Sequence, residues 1–345
     1  MAVATMMVRG LTAPVFAGAV SAWPNWGTER SELTSGPEYA ESKAICRTLG
    51  EPVAPPSDRP TPAQRAALSD CRSEPLYYGE GRPVDYVDAR WCAFLEADRG
   101  GGDTFAGSTI LMQIYANGFG VPRNVDLATA YACQIQGAPA ESEGRVLHLQ
   151  TLKSKVEQFD YCNDVTSGWA GSECTARAST LAAFTRDAKI AALVAQLPQS
   201  ARGQYDRLRQ ALEGFIEVHG AGEVDQAGSG RAGFVIEEQD AVRDQFARDL
   251  ERLLTGKWLV ASGTAARDAD AHLNASYRKT MAWAGSNDNM STIHPDAIRK
   301  AQRAWLIYRD AFIRFAAVAF PRVGRDAVLA YLTNLRNAQL NRMPV

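Results

Sequence analysis

Apolar residues recur at alternating steps of three and four through the second half of the chain. Tyr205, Leu208, Leu212 and Phe215 mark one stripe, and Val242, Phe246, Leu250 and Leu253 mark another. A third and longer one runs through Ile298, Ala301, Trp305, Tyr308, Phe312, Phe315 and Ala319. Such spacing lays one face of each helix against its neighbours. Alternation with a period of two is absent and β-branched clusters are few, so the pattern predicts an all-α fold. The stripes break at 220–233 and 285–295, and Pro295 is placed to open a helix. Residues 51–62, EPVAPPSDRPTP, predict a proline-rich loop.

The first half carries an internal repeat. Residues 79–93 read GEGRPVDYVDARWCA and residues 118–132 read GFGVPRNVDLATAYA, an offset of 39. Aligned, they share G-x-G-x-P, then Asp85 or Asn124, then Ala89 or Ala128, then Trp91 or, one position later, Tyr131. The glycines allow a tight reversal. The Asp or Asn can cap the helix that follows, and the alanine lets two helices approach closely. The pattern resembles the SEL-like repeats, helix–turn–helix relatives of the tetratricopeptide repeat, over residues 61–140. Tyr115, Gly118, Gly120, Val121 and Ala128 carry the better match. The first copy departs from it, with Arg82 in place of the valine and Pro75 interrupting the leading helix. The resemblance implies protein binding. Two such units are too few to stand alone, so they should pack on the helices that follow.

Residues 268–340 hold the densest motif. Asp270, Leu273, Asn274 and Tyr277 precede Ala301-Gln302-Arg303-Ala304-Trp305, then Tyr308-Arg309-Asp310, then Leu332-Thr333, Arg336 and Leu340. This resembles the LprI-type lysozyme-inhibitor family, with its D-x-x-L-N-x-x-Y, A-Q-R-A-W-x-x-Y-R-D and L-T-x-x-R-x-x-x-L segments. Members commonly carry cysteines before the first segment and after Y-R-D. Neither is present here. The candidate interaction or network residues are Asn274, Tyr277, Gln302, Arg303, Trp305, Tyr308, Arg309 and Asp310. Trp305 and Tyr308 lie on the long stripe and should be buried. Arg309 and Asp310 either fix this helix against the Leu273–Tyr277 helix or form an exposed surface for an acidic or carbohydrate-binding cleft. A fainter echo begins at Cys162 and Cys174, so residues 159–255 read as a degenerate earlier copy. Four segments follow: 1–60, 61–158, 159–260 and 261–345.

The chain has 37 Lys and Arg against 39 Asp and Glu, a net charge of −2. The charges are spread, which argues against a nucleic-acid groove. No apolar run is long enough for a membrane helix. Around Val20 to Ala22 the N-terminus has the layout of a weak secretory leader, or else is a plain tail. The six cysteines form no C-x-x-C pair, and the four histidines have no H-x-x-x-H spacing. Disulfides in an oxidising compartment therefore read better than zinc. Cys162–Cys174 would close a short loop, Cys71–Cys92 would tie the first repeat, and Cys46–Cys133 remains. The Gly-rich stretch 228–233 follows a helical stripe rather than a strand, which argues against a dinucleotide site. No catalytic, cofactor-binding or metal residues are indicated. The combined reading is a periplasmic or secreted protein with no enzymatic activity, binding a protein partner. A peptidoglycan hydrolase is the partner implied by the resemblance, with an immunity protein as a variant. An envelope scaffold working through the repeats is the alternative.

Overall fold

The computed structural model describes residues 25–100, 104–258, 264–286 and 288–343. The leader-like segment lies outside them. The described residues form thirteen α-helices and no strand. The helices gather around two large hydrophobic cores.

The first core holds α1 (Ala40–Leu49), α3 (Ser73–Tyr78), α4 (Tyr86–Arg99), α5 (Ser108–Asn117), α6 (Val125–Ala132) and α7 (Pro139–Thr151), while α2 (Pro62–Ala67) buries no residue and lies on the outside near α4. Helices α3–α4 and α5–α6 are the two repeated hairpins, and their turns have matching bonds. Gly79 and Gly118 end the leading helices at φ +77° and +72°, conformations that favour glycine. The Leu76 carbonyl accepts from the Asp85 N–H, as the Tyr115 carbonyl does from the Asn124 N–H, both at 2.9 Å. Asp85 then caps α4 through the N–H groups of Val87 and Asp88, and Asn124 caps α6 through that of Leu127. Ala89 and Ala128 are fully buried. Pro75 does not interrupt a helix. It stands in the first turn of α3, where its missing N–H leaves no bond unmade.

Residues 25–60 share this core. Trp26 is buried, donates its backbone N–H to the Cys133 carbonyl at 2.8 Å and its indole N–H to Ser42 at 3.0 Å. The disulfide Cys46–Cys133 joins α1 to the end of α6 across 87 positions. Cys71–Cys92 ties the approach to α3 to α4, and Cys162–Cys174 ties the segment after α7 to the next helix.

The second core holds α8 (Gly168–Val194), α9 (Gln199–Gly222), α10 (Arg231–Leu254), α11 (Ala265–Ala284), α12 (Pro295–Ala319) and α13 (Arg325–Asn341). The stripes of α9 and α10 face it throughout, and that of α12 does so from Trp305 to Phe315, with Ala319 at the margin; Ile298, at the start of α12, packs instead with Ala284 and Ile293 in a small separate cluster. The pairing of these helices is twofold in pattern. Helix α8 packs on α10 as α11 packs on α13, α9 touches α10 as α12 touches α13, and α9 and α12 pack extensively on each other. Residues 228–233 form the loop and first turn into α10. Gly168, the first residue of α8, lets that helix cross this turn closely, because a Cβ there would collide with the Ser229–Gly230 backbone.

Replacing Cys46 and Cys133 together by serine should destabilise the first core by about 4–5 kcal/mol, because the bridge closes a long loop in the unfolded chain. Urea unfolding of the double variant measures this. A midpoint equal to that of the parent would show that the bridge does not brace the core.

Candidate functional site

Six of the sequence-indicated residues lie on α12, the longest helix of the C-terminal segment, and two lie on α11. Trp305 and Tyr308 are buried. The Tyr308 ring stacks on Phe215 of α9, with centroids 5.9 Å apart and planes 7° from parallel. Gln302 is half-buried and accepts a bond from Arg336 of α13 at 3.0 Å. The Arg309 guanidinium bonds the neighbouring Asp310 carboxylate at 2.8 and 2.9 Å and lies over the Trp305 ring. It therefore turns along its own helix rather than across to α11. Arg303 is exposed. Asn274 is exposed and bonds Asp270 one turn earlier, while half-buried Tyr277 packs at the edge of the core. The motif is thus divided: Trp305 and Tyr308 are sealed in the interior and half-buried Gln302 reaches inward to Arg336, while Arg303 and Asn274 face solvent.

The interior set surrounds a feature that sequence reading did not single out. Arg336 and Glu223 are each wholly buried and form a bidentate ion pair at 2.6 and 2.7 Å. Glu223 stands at the end of α9 and also meets His219 Nδ1 at 2.6 Å. His219 Nε2 faces Glu238 of α10 at 3.0 Å, and Glu238 is held in turn by Arg342. Burial alone would lower the His219 pKa, but its two carboxylate partners outweigh that and raise it. Burial would raise the Glu223 pKa, yet the Arg336 charge and the His219 bond hold it below the usual carboxylate range. The two carboxylates flank opposite edges of the imidazole and do not converge on one point. Among the described residues no group of three His, Cys, Asp or Glu is arranged to hold a metal ion.

A second polar cluster joins α10 to α13. Tyr331 donates to Asp249 Oδ1 at 2.7 Å and accepts from Gln245 and Arg252, while Asp249 Oδ2 is buried with no hydrogen-bond partner. Burial pushes the Asp249 carboxyl up to about 6. The cavity between the two clusters, lined by Asp249, Trp305, Tyr308 and Arg336, has a volume near 170 Å³. That is below the roughly 300–1,000 Å³ of ligand clefts.

The one sequence signal for these clusters was Arg336, which stands in the L-T-x-x-R-x-x-x-L segment. Glu223, His219, Glu238 and Asp249 belong to the preceding helices and carry no motif.

These helices and their network define a helical domain with its polar chemistry sequestered inside. Residues 256–342 match the family model described as Lysozyme inhibitor LprI. No curated protein and no solved structure matches the chain.

Glu223→Gln should cost about 3–5 kcal/mol, because it leaves the Arg336 charge buried without its counter-ion. The double variant Glu223→Leu, Arg336→Met should recover most of that loss in chemical denaturation. Equal losses in the single and double variants would show that the pair is not coupled. Asp249 offers a pH test. Its folded pKa lies above the unfolded value of about 3.9, so the folded chain retains this proton between about pH 4 and 6 while the unfolded chain releases it. This group's contribution therefore falls as pH rises through that window, by about 3 kcal/mol in all. Asp249→Asn should raise the melting temperature at pH 7.5 and leave it nearly unchanged at pH 4. A uniform shift at both pH values would contradict the assignment.

Proposed function

We propose that this chain is an extracytoplasmic binding protein whose C-terminal helices engage a lysozyme-like peptidoglycan hydrolase and block it. The observation that carries the reading is the family match over residues 256–342. Three disulfides suit an oxidising compartment. No helix among the described residues is long and apolar enough to cross a membrane. Blocking a cleft asks for a rigid complementary surface, and the buried network supplies rigidity beneath α12. The α8–α10 triplet is, in this reading, a degenerate copy of the same unit that supports the matched one. Neutralisation of a hydrolase delivered as a toxin is the same physical act with a different source of enzyme.

The hairpins motivate a second reading, a scaffold that holds its partner on the SEL-like region. Val84 and Val87 at the first hairpin are exposed and could serve that contact.

The test is titration of the purified chain into lysis assays with several muramidases and amidases, paired with pull-down from envelope extract. Saturable inhibition of at least one enzyme is the expected result. Absence of both inhibition and hydrolase capture would remove the inhibitor reading. Capture of a different protein, abolished by Val84→Asp with Val87→Asp, would establish the scaffold instead.

A further inference from the structure

The balanced charge of the whole chain conceals a division. Residues 256–342 contain thirteen Lys and Arg against six Asp and no Glu, a net charge of +7. The remainder carries −9. The matched segment is thus a basic body joined to an acidic one, and its cations are not distributed evenly in role.

Helix α12 carries five Lys and Arg and two Asp. Arg303, Ile307, Asp310, Arg314 and Val318 follow at steps of three and four down one line of its outer side, with Lys300 beside them. The opposite side of the helix is sealed into the second core through Trp305, Tyr308, Phe312 and Phe315. Asp310 is taken up by Arg309. Lys300, Arg303 and Arg314 are exposed, and no salt bridge or hydrogen bond ties their side chains among the described residues; Asp296, bonded to Arg299 one turn earlier, lies within electrostatic reach of Lys300 and Arg303. By contrast, the cations that face α10 from α8 are neutralised within the fold: Arg186 by Asp240 and Asp244, and Lys189 by Glu251. In the middle of the α12 line stands Ile307, 62% exposed. A single exposed isoleucine is ordinary. Set between unpaired cations on a helix whose other side is immobilised, it makes an apolar knob with positive flanks.

We infer that this outer ridge of α12, centred on Arg303, Ile307 and Arg314, is the surface that enters the partner, and that the partner offers a glycan-binding cleft containing a carboxylate pair. The inference rests on the inhibitor reading above and adds the surface and its chemistry. Glycoside hydrolases of this kind work with two carboxyl groups flanking the scissile bond, set in a groove shaped for sugar rings. Such a groove is acidic at its centre and apolar where sugar faces stack. Arg303 presents a planar fork of donors that matches a carboxylate. Ile307, one turn on, fills apolar volume, and Lys300 and Arg314 extend the positive field towards the rims. From Arg303 to Arg314 the ridge is about 16 Å long at 1.5 Å per residue, so it spans several sugar positions. The ridge needs no reacting group of its own.

The experiment uses the full chain. Affinity for chicken-type, goose-type and invertebrate-type lysozymes is measured by calorimetry at two salt concentrations, with and without chitotriose to fill the cleft. The parent chain should bind at least one of them, more weakly at higher salt and in competition with chitotriose. Arg303→Glu with Arg314→Glu should weaken that binding at least about 100-fold, and Ile307→Asp should weaken it separately. Arg202→Glu with Arg207→Glu, an equal charge reversal on exposed positions of α9, should leave affinity unchanged. Circular dichroism and melting temperature confirm that each variant is folded. Strong binding that survives both ridge changes would overturn the ridge while leaving the inhibitor reading intact. Failure of the parent chain to bind any lysozyme would remove both. Equal ridge-dependent binding to DNA or heparin would also overturn the inference, because the ridge would then be a general polyanion surface.

Discussion

The buried Arg336–Glu223 pair constrains the whole second core. Neither charge reaches water, so neither can be buried without the other. The end of α9 and the middle of α13 must therefore arrive together. Gln302 fixes the guanidinium from α12, and His219 ties the carboxylate to Glu238 on α10. Four helices are keyed to one another by this chain of polar contacts, and the apolar stripes close around it. Phe215 shows the coupling directly, since Tyr308 and His219 stack on it and Arg336 lies against it. The matched segment consequently depends on helices that precede it, because the counter-ion of its own motif arginine lies outside residues 256–342.

The first core solves a different problem. Its helices are short, several of them six to ten residues, and short helices draw little stability from propensity. Repeated turn geometry compensates locally, with capping side chains and left-handed glycines that end and restart the chain in a fixed way. The disulfides compensate over longer range. They join segments such as α1 and α6 that share only a narrow contact surface. All six cysteines fall in this part of the chain or at its junction with α8, and the second core, held by long helices and buried charge, has none.

Features with a local cause were legible in the sequence. The stripes of α9, α10 and α12 were visible because helical periodicity repeats over many turns. The paired hairpins were visible because Gly79, Asp85 and Ala89 recur at a fixed offset as Gly118, Asn124 and Ala128. Pro75 is not the break that a proline inside a helical pattern suggests, because α3 starts only two residues before it. The interior of the candidate site was not legible. Glu223 meets Arg336 across 113 positions, and nothing near either residue announces the other. Tyr331 and Asp249 meet in the same long-range way. Arg309 and Asp310 stand side by side in the motif, but their bonding to each other, rather than across to α11, depends on side-chain rotamers that the motif does not specify. The charge division was present in the sequence all along and vanished only because the two halves cancel in the total.

Helix α8 has a consequence of another kind. Its first half packs with the hairpin core through Cys174 and through Arg177 stacked on Tyr78 and Phe105, and its last turns enter the second core through Ile190, Leu193 and Val194. At 27 residues it is about 40 Å long. One continuous helix shared by two cores acts as a strut rather than a linker. The hairpin face and the C-terminal face are thereby held at a set separation, and one can swing against the other only if the helix itself kinks or unwinds.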